Sequence, residues 1–203
     1  MTEYLSAYAG LIIKEAKDLR VPIKDLAGEQ ANKLIIEKYI TKQNPKLLFI
    51  NGHGDTDSLT GHKDEIIFSN DDNLHLLKDR IIYARACESA VSLGQATIND
   101  NNGCFVGYNR KFSFWMDGRW SATPLNDKSA AFCLEPSNEI VKCLINGKSA
   151  SEAHTRSLRM MAKNMAKIIR MTQKQEPVAG GILRTLWNNY EGQVLLGNKE
   201  ARF

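Results

Sequence analysis

Two short apolar runs constrain this chain more than any other feature. Lys46-Leu47-Leu48-Phe49-Ile50 stops at Asn51-Gly52, and Arg80-Ile81-Ile82-Tyr83-Ala84-Arg85-Ala86 stops at Cys87. A strand with one wet face alternates apolar and polar residues. A run this continuous suits a strand buried on both faces of a parallel sheet. The stretch between the runs is long enough for a loop and a return crossover, so the two strands can be neighbours.

Helical patterns surround these runs. Residues 3–20 place Leu5, Tyr8, Ala9, Leu11, Ile12 and Ala16 on one stripe, which predicts an amphipathic helix. Residues 21–28 are punctuated by Pro22 and Gly28 and suit a short strand or turn, and residues 29–43 read as a second helix ended by Asn44-Pro45. Residues 65–68 suit a short strand, 89–98 a helix and 104–108 a third buried strand. Residues 109–130 read as a long aromatic loop anchored by Phe114, Trp115 and Trp120. A helix is expected over 138–146, starting near Ser137. Ser149-Ala150-Ser151-Glu152 forms a capping box for a long helix running to about Met171. The tail from Gly192 suits a final edge strand. This alternation predicts an α/β fold, a mainly parallel sheet flanked by helices, in one domain spanning 1–203.

Composition excludes several function classes. The net charge of +4 is too weak to argue for nucleic acid or a membrane surface. Cys87, Cys104, Cys133 and Cys143 are scattered without a Cys-x-x-Cys pair, so neither a zinc site nor a disulfide framework is indicated. The first twenty residues carry Glu3 early and no basic region, and no membrane span is visible. A reducing, cytoplasmic setting is expected, and it suits a free thiol.

The chemistry lies where the two runs end. Asn51-Gly52-His53-Gly54 and Ala84-Arg85-Ala86-Cys87-Glu88 both fall just past the carboxyl ends of predicted strands, where parallel sheets build their sites. A thiol is a weak nucleophile until it becomes a thiolate. Cys87 is expected to precede a helix directly, and a helix N-terminus favours negative charge. His53 can act as general acid to a leaving amine. Gly52 and Gly54 let the backbone approach a substrate carbonyl, and the N–H groups of Gly54 and Cys87 are candidate oxyanion donors.

A hydrophobic strand ending in His-Gly, followed by one ending in Ala-Cys, resembles the caspase-like (clan CD) cysteine peptidases. Tyr83-Ala84-Arg85-Ala86-Cys87-Glu88-Ser89 is similar to the legumain nucleophile segment. Residues 144–153 and 193–198 resemble the late helix pair and C-terminal strand of CHAT and gingipain-like members. The resemblance implies a caspase-like three-layer sandwich and a cysteine endopeptidase that works through a thioester acyl-enzyme, without metal or cofactor. Its dyad would be His53 and Cys87, with Gly54 in the oxyanion role and a protein or peptide as substrate. An alternative is a catalytically inactive caspase-like module in a signalling or defence assembly.

Relatives open with a strand before the first helix, and here the chain opens inside that helix. The expectation is that a longer parent chain, a partner subunit or the chain's own C-terminus supplies the strand. In this family the position two before the nucleophile often lines the pocket for the residue preceding the scissile bond. Arg85 stands there and would favour an acidic residue over Arg or Lys. Asp117 could neutralise it, Trp115 could line a peptide groove, or Arg85 could point away to a surface carboxylate. Asp55-Thr56-Asp57 offers too few carboxylates for calcium. His62, His75 and His154 read as surface residues, and Arg156, Arg159, Lys163, Lys167 and Arg170 as a solvated basic face.

Overall fold

The computed structural model describes residues 2–98 and 102–203. The first apolar run is strand β1 (Leu47–Asn51), the second is β5 (Ile81–Arg85), and the third is β6 (Cys104–Tyr108). They lie side by side and parallel, with β7 (Gln193–Gly197) antiparallel on the outer edge of β6. Alternate residues of β5 divide between two cores. Ile81 and Tyr83 pack under helices α1 (Thr2–Asp18), α4 (Lys128–Ile145), α5 (Ala150–Gln173) and α6 (Ala179–Gly192). Ile82 and Ala84 pack against α2 (Lys33–Gln43), α3 (Leu93–Ile98) and a small antiparallel sheet. That sheet comprises β2 (His53–Gly54), β3 (Ser58–Thr60) and β4 (Ile66–Ser69). The architecture is a three-layer α/β sandwich, as the continuous runs predict. Among the described residues no helix is long and apolar enough to cross a membrane.

Several elements differ from expectation. Residues 21–27 form neither strand nor helix, and α2 starts at Lys33 behind its Asn32 cap rather than at residue 29. β1 is half-buried at all five positions, unlike β5 and β6, because it is an edge strand. The chain's C-terminus does not cover that edge: β7 closes the opposite side of the sheet. Helix α6 stands outside the predicted elements, because Gly180-Gly181 at its start masks the periodicity.

The largest difference is α4, which begins ten residues before the expected start and runs straight through Pro136. A proline inside a helix has no N–H for the carbonyl four residues back. Here that carbonyl belongs to Phe132, and Asn164 Nδ2 on α5 donates to it at 3.0 Å. The Pro136 carbonyl in turn accepts from Ser157 Oγ at 2.7 Å. Tertiary contacts with α5 therefore supply what the local backbone lacks. Asn164→Ala is expected to cost about 1–2 kcal/mol of stability, because the partly buried Phe132 carbonyl loses this donor. In a Pro136→Ala background the backbone N–H returns, and the same substitution should cost much less. Urea unfolding of the four proteins in this cycle measures the difference. Equal costs in both backgrounds would refute the repair.

Asp127 joins three parts of the molecule. It caps α4 through Ser129 and Ala130 N–H, and one of its oxygens accepts from Tyr4 Oη and Asp117 N–H. Burial and the Asp127 carboxylate push the Tyr4 hydroxyl up to about 12. The aromatic segment 109–126 is thereby fastened between α1 and α4.

Candidate active site

The register of β1 and β5 pairs Asn51 with Arg85, so His53 and Cys87 each stand two residues past the carboxyl ends of adjacent parallel strands. Two further observations tie their segments together. A Cβ on Gly54 would lie 3.1 Å from Ala86 Cβ and 2.9 Å from Leu59 Cδ2, so the His-Gly turn closes directly on the residue before Cys87. The Thr56 carbonyl, in the loop after Gly54, accepts from Ser92 and Leu93 N–H at 2.9 Å each. Asp55 holds that loop in shape by accepting from Asp57 N–H, Ser58 N–H and Ser58 Oγ. Burial alone would raise the Asp55 carboxyl, but the bonds from Ser58 and Asp57 outweigh it and hold it below its ordinary value. Asp55 is thus occupied by its own turn, and the described residues contain no metal-binding cluster of three or more side chains.

Cys87 differs from the other three cysteines. It is half-exposed, whereas Cys104, Cys133 and Cys143 are buried, and burial pushes each of their thiols up to about 12. The Cys87 thiol donates to the Phe112 carbonyl at 3.6 Å. The exposed His53 makes no side-chain hydrogen bond among the described residues, so it is not bonded to Cys87. Catalytic hydrogen bonds are often loose before substrate arrives. The Cys87 N–H makes no backbone hydrogen bond among the described residues, while the next one, Glu88 N–H, goes to Arg110 O at 3.0 Å. Glu88 adopts left-handed backbone (φ 51°), which turns the chain sharply after the thiol. Ser89 Oγ, buried beneath, donates to the Ala86 carbonyl at 3.2 Å.

Three expectations about this region are corrected. Cys87 does not begin a helix: residues 87–92 are turns and α3 starts at Leu93, so no helix N-terminus acts on the thiol. Arg85 is completely buried on the α1–α4 side of the sheet. It donates to Asn51 Oδ1 and Asn138 Oδ1 at 2.8 Å and to Leu5 O at 3.3 Å, with its guanidinium 5.1 Å from the Phe49 ring centre. It therefore neither lines an open pocket nor meets a surface carboxylate. Asp117 does not neutralise it, because Asp117 caps the turn at Gly118 and binds Arg119, whose hydrogen bonds lower its carboxyl. Trp115 is half-buried and lies on α6, where a Cβ on Gly181 would come within 2.4 Å of its ring. His154 is also less open than expected, with Nε2 3.2 Å from Gln193 O and burial lowering its pKa.

Sequence reasoning missed Thr60. It stands opposite His53 in the β2–β3 pair, and its buried Oγ1 has no hydrogen-bond partner among the described residues. Nothing in a lone threonine of a polar stretch signals that position. It also missed Asn188 and Asn189 on α6. Asn188 Nδ2 donates to Lys111 O, and Asn189 bonds both Ser113 N–H and Ser113 O, which fixes the segment carrying Phe112.

No family model and no curated protein sequence matches this chain.

Proposed function

We propose that this chain is a cysteine endopeptidase of the caspase-like class, with Cys87 as nucleophile and His53 as general acid. One observation carries the reading most: the single half-exposed thiol of the four stands beside a His-Gly turn at the carboxyl edge of a parallel sheet. In the proposed reaction the Cys87 thiolate adds to a peptide carbonyl. The N–H groups of Gly54 and Cys87 receive the oxyanion. The tetrahedral adduct then collapses, the C–N bond breaks, and His53 delivers a proton to the leaving amine. Water hydrolyses the remaining thioester and frees Cys87. The reaction needs no metal or organic cofactor, and a free thiol fits a cytoplasmic setting.

The open edge of β1 fits a strand from a partner subunit or a longer parent chain. A second reading, a non-catalytic caspase-like module, is favoured by the Cys87 thiol bonding to Phe112 O instead of His53.

A positional-scanning peptide library on wild type and Cys87→Ala separates the two. Cleavage by wild type that vanishes in the variant supports the peptidase, and no cleavage by either supports the module. Iodoacetamide mapping by mass spectrometry adds an independent readout. Cys87 should label well before Cys104, Cys133 and Cys143 at neutral pH, because their raised values leave almost no thiolate. Equal labelling of all four would remove Cys87 from the proposal.

A further inference from the structure

Helix α5 carries a charge imbalance that the candidate active site does not use. Between Glu152 and Glu176 it has no acidic residue, yet it bears Arg156, Arg159, Lys163, Lys167, Arg170 and, just past its end, Lys174. At 100° per residue, Arg159, Lys163, Lys167 and Arg170 fall within about 80° of arc, one exposed stripe. Arg156 reaches Glu139 at 3.8 Å, but these four have no ion pair among the described residues. Like charges three and four residues apart destabilise a helix, so nothing within the fold accounts for the stripe.

Directly beside it lies an apolar cleft of about 580 Å³ between α5 and α6. Ala162 and Ala166 leave it wide, Met165 and Leu183 line it, and the half-exposed Ile169 and Trp187 belong to its walls. Arg184, exposed and also without an ion pair among the described residues, lines the α6 side. An apolar recess edged by cations that are unpaired among the described residues has the features of a helix-in-groove docking site.

We infer that this cleft binds an acidic amphipathic helix of a partner protein. Its apolar residues, spaced three and four apart, would fill the recess, and its Glu or Asp residues would face the α5 stripe. A bilayer favours a convex apolar ridge, so it would leave the recess empty. A nucleic acid would use the cations and likewise leave the apolar walls unpaired. Helix α6, one wall of the cleft, also holds the segment that carries Phe112. Gly181 of α6 abuts Trp115, and Asn189 clasps Ser113, one residue from the Phe112 carbonyl that meets Cys87. The inference does not depend on peptidase activity.

Fluorescence anisotropy with two labelled synthetic helices tests it, one with Leu on one face and Glu on the other, one with Lys in place of Glu. The Glu peptide should bind the full chain at least about tenfold more tightly than the Lys peptide, and should weaken as salt screens the stripe. The Lys163→Glu/Lys167→Glu double variant should lose at least about tenfold in affinity for the Glu peptide. Ala166→Arg, which fills the cleft and adds positive charge, should also weaken it, with circular dichroism unchanged in both variants. Equal binding of the two peptides, no binding of either, or full affinity in the charge-reversal variant would overturn the inference. Sedimentation with vesicles of equal parts phosphatidylcholine and phosphatidylserine, and titration with a single-stranded oligonucleotide, complete the test. Tighter binding to either than to the Glu peptide, abolished by the double variant, would assign the stripe to that partner and refute the helix.

Discussion

Arg85→Ala is expected to lower the unfolding free energy by about 2–4 kcal/mol, from buried acceptors that lose their donor and from the cavity left behind. The guanidinium is fully buried, and no carboxylate faces it among the described residues. Burial lowers its pKa, an effect that the neighbouring Tyr83, Tyr108 and Tyr8 hydroxyls partly oppose. It persists by satisfying three acceptors at once: the amide oxygens of Asn51 and Asn138, and the Leu5 carbonyl of α1. Removal strands the Asn51 and Asn138 amide oxygens at about 1–3 kcal/mol each and opens a cavity, while the Leu5 carbonyl keeps its bond from Asn51 Nδ2 at 3.1 Å; only the relieved desolvation counts against this. Arg85→Lys keeps the charge, but one compact ammonium cannot span all three, so it should lose at least about 2 kcal/mol. Urea unfolding measures both. A cost below about 1 kcal/mol for Arg85→Ala would show that the buried cation is no keystone between β5, α1 and α4.

His53→Ala is expected to reduce turnover at least about 100-fold on whatever peptide the library selects, with little change in KM. In the proposed reaction the histidine acts on the leaving amine in the transition state and contributes little to ground-state binding. Gly54→Ala supplies a geometric companion. Its added methyl would press on Ala86 Cβ at 3.1 Å and Leu59 Cδ2 at 2.9 Å, prising the His53 segment away from Cys87. Turnover should fall while iodoacetamide labelling of Cys87 persists, because the thiol itself stays in place. Full activity in His53→Ala would move the general acid elsewhere and remove the dyad from the proposal.

The sequence by itself determined the layers and the ends of the strands. Continuous apolar runs mark Leu47–Asn51, Ile81–Arg85 and Cys104–Tyr108 as parallel strands, with His53 and Cys87 following at the carboxyl edge, although only the last two strands are fully buried and the first stands at the sheet's edge. The Ser149–Glu152 capping box was equally legible, because both halves of the motif sit within four residues. Tertiary structure decided whatever depends on a partner distant in sequence. Pro136 reads locally as a helix stop, and only Asn164, bonded across 32 positions to the Phe132 carbonyl, lets α4 pass through it. Arg85 reads as a charged residue at a strand end, suited to a pocket. Only the arrival of α1 and α4 over that face, bringing Leu5 and Asn138, turns it into a buried tie. Cys87 reads as a helix start because a helical pattern follows it over 89–98, yet Glu88 and Ala90 N–H bond to Arg110 and Tyr108 carbonyls and hold residues 87–92 as turns. Local pattern sets which face a residue belongs to, but hydrogen bonds closed across as many as 130 positions set where its side chain points, and no window of sequence contains both ends of them.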